Sequence, residues 1–176
     1  MISFPTLHVI TTELTVGMFA LSGICFLLMF IGKGPEVKDS VAHWALAGGL
    51  LATPLAILTG VNSAPGDGLD NPLLANKLLL SMSAAGLALG LLWTRITGGH
   101  QDGRLHPSIG MVSVGMILLT AGIGGEYARG ETLVFFLPKD IVFLFPVWVS
   151  VILMAMGFAL IGLSITKSKA VPVGDS

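Results

Sequence analysis

Apolar runs long enough to cross a bilayer alternate along this chain with short stretches of Gly, Pro, Asp and Asn. Five runs stand out, at about 7–31, 41–61, 72–96, 107–128 and 140–165, each near the roughly 20 residues a membrane-spanning helix needs. The stretch "GKGPEVKDS" closes the first run, "NSAPGDGLDNP" the second, and "GGHQDGRLHPSIG" separates the third from the fourth. Between the fourth and fifth stands "RGETLVFFLPK", whose apolar centre is too short to cross and predicts an interfacial segment. Pro72 and Pro107 fall near helix starts, where a missing N–H costs nothing. Pro146 falls one or two turns into the fifth run and predicts a kink there. The pattern reads as an all-α, integral membrane up-down helical bundle, a four-helix core plus a fifth transmembrane helix over residues 1–166. Residues 167–176 lack apolar periodicity and read as a flexible tail.

Composition makes lipid the solvent for most of this chain. Hydrophobic residues are 53% of the 176 and charged residues 11%, with a mean hydropathy of +0.88. A soluble domain would carry about a quarter charged residues. The net charge of -1, with no basic block, excludes a nucleic-acid partner and leaves lipid and other integral membrane subunits as the expected partners. Cys25 is the single cysteine, so no internal disulfide can form, and without a C-x-x-C-H there is no c-type haem attachment. The first run is too long for a signal-peptide core and lacks a basic leader, so it reads as a retained helix.

Orientation follows from lysine and arginine. Lys33, Lys38, Arg95, Arg104, Lys167 and Lys169 fall on one side, against Lys77, Arg129 and Lys139 on the other. Six against three predicts a multi-pass cell-membrane protein with its N-terminus outside and its C-terminus cytoplasmic. Trp44 and Trp93 fall at the same inner level, as an aromatic belt would. Small residues, among them Gly86 and Gly90 in a G-x-x-x-G frame, predict close helix packing inside the bundle.

Ionisable groups inside a membrane are expensive and each is a candidate for function. Glu13 and Lys77 fall at matching depth, roughly 8–9 Å below the outer surface at 1.5 Å per residue. The reading taken for them is an intramembrane ion pair that fixes helix register, with a proton or quinone site as the alternative. His8 lies about 140° around the helix from Glu13 and reads as an interfacial histidine among Thr11, Thr12 and Thr15. His43 and His106 fall at comparable depth near the inner ends of the second and fourth runs. Two facing imidazoles are what axial ligation of haem b requires; a hydrated or helix-capping role for His106 is the plainer reading. His100 reads as a hydrated loop residue, and Glu126 with Arg129, at i and i+3, as a local ion pair at a helix end.

The first four runs, over about residues 5–132, resemble an uncharacterised family of small prokaryotic four-helix membrane proteins. The match rests on His8 at the first histidine position of helix one, "LAGGLLATPLAILTG" in helix two, Arg95 closing helix three and "TAGIGGEYARG" closing helix four. That family carries a second histidine in helix one and a mid-depth histidine in helix three, where this chain has Glu13 and Lys77. The resemblance implies that a histidine-based outer site has been exchanged for an ion pair.

No nucleophile with a base, carboxylate pair or phosphate loop is present in the sequence, so no catalytic residue is assigned. The expectation is a non-catalytic structural or accessory subunit of a larger membrane complex, of the respiratory or another oxidoreductase class, with bound lipid and neither a metal nor another cofactor. One alternative is a small b-type haem or quinone-linked electron carrier using His43 and His106. Another is a proton or ion transport element centred on Glu13 and Lys77, which the absence of inverted repeats disfavours.

Overall fold

The computed structural model describes residues 3–63, 71–98, 103–130 and 146–169. Among these the protein is all-helical: α1 Phe4–Phe30, α2 Lys38–Ser63, α3 Pro72–Ile96, α4 Leu105–Arg129 and α5 Val147–Lys169. The first four are each long and apolar enough to cross a membrane. In α5 the apolar stretch is shorter, Val151–Leu163.

Local chemistry sets the helix ends. Ser3 and Asn71 cap α1 and α3 through their side chains, with Pro5 at the second helical position of α1 and Pro72 at the first of α3. Gly130, with φ of 65°, takes the left-handed conformation that closes α4 through its N–H to the Glu126 carbonyl. The kink expected at Pro146 inside α5 does not occur: Pro146 stands immediately before the described helix, and its carbonyl accepts from the Val149 N–H. The first part of the fifth run, residues 140–145, lies outside the described residues.

α1 packs against α2 and α4, and α3 against α4 and more lightly α2, so α1 and α3 are diagonal across a four-helix bundle. α5 lies outside that bundle on α3. Gly86 meets Gly157 and Gly90 meets Leu160, so α5 runs parallel to α3 and the G-x-x-x-G frame serves packing within the chain. The core is formed by Phe19, Phe26, Leu46, Leu80, Leu87 and Ile117, with small residues opposite the large ones. Phe19 fits over Gly49 and Phe26 over Gly110, positions where a Cβ would collide with the ring. Hydrogen bonds tie neighbouring helices in the core: Ser22 Oγ donates to the Ala42 carbonyl at 2.8 Å, and Ser113 Oγ to the Ala84 carbonyl at 2.9 Å.

The outer surface is apolar. Leu51, Ile96 and Val61 are 70–79% exposed, which water would penalise at about 25 cal/mol per Å² of apolar surface and lipid would not.

Candidate functional site

Polar chemistry collects at two levels of the bundle, one at each end. At the end bearing the α1–α2 turn, His43 on α2 and His106 on α4 meet across the bundle with their Nε2 atoms 2.9 Å apart. Both are buried, and the fully buried Phe26 of α1 presses on each ring at centroid distances of 5.5 and 6.2 Å. Nδ1 of His43 faces the Asp39 carbonyl at 2.8 Å and the Asp39 carboxylate at 3.3 Å. Asp39 is held in turn by Arg95 of α3, whose Nη2 lies 2.5 Å from its second oxygen. The chain of contacts Arg95–Asp39–His43–His106 therefore joins three helices.

Hydrogen-bond chemistry assigns the protons. Both partners of His43 Nδ1 are acceptors, so that nitrogen carries the N–H and Nε2 of the neutral ring is a bare lone pair. His106 then donates its Nε2–H into that lone pair. His106 is not a hydrated capping residue: it sits in the first turn of α4, only 6% exposed. Arg104 stands at the N-cap position of α4 without a side-chain cap, and its guanidinium lies over the Phe30 ring.

At the opposite end, a cavity of about 500 Å³ opens between the four core helices. Lys77 of α3 and His8 of α1 both line it, together with Thr12, Thr53, Ser81 and Tyr127. Two glycines make room for the two basic groups. A Cβ at Gly124 would stand 2.8 Å from Lys77 Nζ, and one at Gly60 would stand 2.9 Å from the His8 ring. His8 is further fixed by the Thr59 hydroxyl, 3.2 Å from its Nδ1 and itself 3.1 Å from that of Thr11.

The ion pair read between Glu13 and Lys77 is not formed. Glu13 is exposed on the outside of α1, whereas Lys77 faces the central cavity. Equal depth does not make neighbours when the two helices are diagonal. His100, Lys139 and residues 170–176 lie outside the described residues, as does the interfacial "TLVFFL" segment. The Arg129 side chain is also outside them, and with it the expected Glu126–Arg129 pair.

Asp39, Arg95 and the cavity lining were missed by motif reasoning. Asp39 precedes His43 by four residues, one helical turn, and that spacing was the available signal. Nothing in the sequence places Lys77 beside His8. Comparison with family models, curated proteins and solved structures finds no match to this chain.

Proposed function

We propose that the protein is a non-catalytic, multi-pass bundle subunit of a larger membrane assembly, with its N-terminus outside and its C-terminus cytoplasmic. The observation that carries this reading over an electron carrier is the closed His43–His106 contact. Metal–imidazole bonds of about 2 Å place two axial ligands on opposite faces of one iron about 4 Å apart. The two Nε2 atoms are 2.9 Å apart, and Phe26 occupies the space beside both rings that a macrocycle would enter. The residues as packed do not fit a haem. They fit a buried hydrogen-bonded clasp between α2 and α4, held in register by Asp39 and Arg95.

The apolar exterior supports a lipid-facing location, with lipid or neighbouring subunits covering Leu51 and Val61. α5, packed on one side of the bundle, is read as a fifth span on the same grounds. The transport alternative loses its pair of charges, since Glu13 faces outward. The respiratory or other oxidoreductase setting remains part of the proposal.

The test is purification from native membranes in mild detergent, with a visible spectrum and identification of co-purifying subunits. The protein should elute with other integral membrane chains and show no Soret band, and His106→Asn should leave the assembly intact. A chain that elutes alone with a Soret band abolished by His106→Asn would replace this reading with the electron carrier.

A further inference from the structure

The cavity between the core helices presents a charge problem that the protein does not solve with its own described side chains. An amine within a membrane-spanning helix is costly unless paired. Lys77 projects into a cavity whose wall is aliphatic side chains interspersed with hydroxyls, and among the described residues no carboxylate borders the cavity and no ion pair reaches Lys77. His8, on the same cavity wall, adds no negative charge. The glycine at position 124 leaves room for the ammonium, so its placement in the cavity is built into the α4 backbone.

The volume, about 500 Å³, falls within the range of small-molecule sites. The distribution of chemistry along the cavity is also that of a ligand site: an apolar body with a few convergent polar groups. It extends from Tyr127 near the end of α4 to Ile117, ten residues or roughly 15 Å along the helix. Thr12, Thr53 and Ser81 add hydroxyls along its length.

We infer that this cavity binds a lipid-soluble organic acid, a molecule with an apolar body and one anionic oxygen head, and that Lys77 Nζ is the group that recognises the head. His8, held by Thr59, supplies a second polar contact beside it. The bilayer itself offers such molecules, as free fatty acids or as acidic hydroxyquinones. This assignment is independent of whether the chain is an accessory subunit, since it rests on the cavity and not on the histidine clasp.

The experiment uses the full chain in phosphatidylcholine nanodiscs and measures binding of three probes by native mass spectrometry: oleate, its uncharged methyl ester, and a hydroxyquinone with a ten-carbon tail. At least one acid should bind one per chain, and oleate or the hydroxyquinone at least tenfold more tightly than the ester. Which acid binds more tightly identifies the source. Lys77→Met should erase the acid-over-ester preference, whereas Glu13→Gln, on the outside of α1, should keep it. Gly124→Ala retains the amine but pushes it from its place, and should weaken acid binding several-fold even if Lys77→Met proves unstable. Ester and acid binding alike, no acid binding, or an acid preference that survives both cavity variants would overturn the proposal.

Discussion

His43 and His106 each satisfy the other, and that makes their removal asymmetric. Replacing His106 alone with leucine leaves the His43 lone pair buried without a donor, which costs about 1–3 kcal/mol. Replacing both with leucine removes donor and acceptor together and should recover most of the loss, because Phe26 already provides an apolar neighbour. Reversible unfolding in mixed micelles, run as a double-mutant cycle, would check this; two additive losses would show that the nitrogens do not interact. The clasp was half legible in the sequence. Similar depth from the helix ends suggested that His43 and His106 could meet, but whether as ligands or as partners depends on a separation of 2.9 Å that no spacing encodes. Arg95 was read as a topology signal and as the close of helix three, although its guanidinium also anchors Asp39. The Glu13–Lys77 reading failed for a related reason: sequence conveys depth along a helix, but not which helices are adjacent.

Helices in lipid are held by close contact more than by solvent exclusion, so glycine positions divide into two kinds. Gly157 of α5 lies against the Gly86 backbone of α3, and an added Cβ there would meet main-chain atoms that cannot move aside. Gly157→Ala should therefore weaken docking of α5, costing about 1–3 kcal/mol by overpacking. Gly115 of α4 has nothing within 4 Å of where a Cβ would stand. Gly115→Ala should instead stabilise by about 0.5–1 kcal/mol through helix propensity and reduced unfolded-state freedom. Thermal unfolding of the two variants in one detergent compares them directly, and equal shifts of the same sign would refute the packing argument. Hydropathy located the first four elements because each is a long uninterrupted apolar stretch, long enough to cross a membrane. It could not say that the G-x-x-x-G frame faces α5 and not another chain.

For the molecule as a whole, the distribution of charge and the exposed apolar belt make one prediction together. Lys33 and Lys38 flank the α1–α2 turn, Arg95 and Arg104 flank the α3–α4 connection, and both pairs fall at the histidine end of the bundle. Among the described residues, Lys77 and Arg129 stand toward the other end, and Lys77 points into the cavity. Cationic loop residues are retained on the cytoplasmic side, so the histidine clasp should face the cytoplasm and the cavity should lie in the outer half of the membrane. Exposed single cysteines report this: Glu36→Cys in the α1–α2 turn and Asn62→Cys near the end of α2 are on opposite ends of the bundle and both solvent-facing. Native Cys25 is buried in the core and should stay silent in intact cells. A membrane-impermeant maleimide added from outside should label Asn62→Cys and leave Glu36→Cys unlabelled until the membrane is opened. The reverse pattern would invert the topology and move the cavity to the cytoplasmic half, where its acid would be drawn from the inner leaflet. Labelling of both positions from one side would show that α2 does not cross at all, and would remove the lipid-facing role of Leu51 and Val61 on which the membrane reading depends.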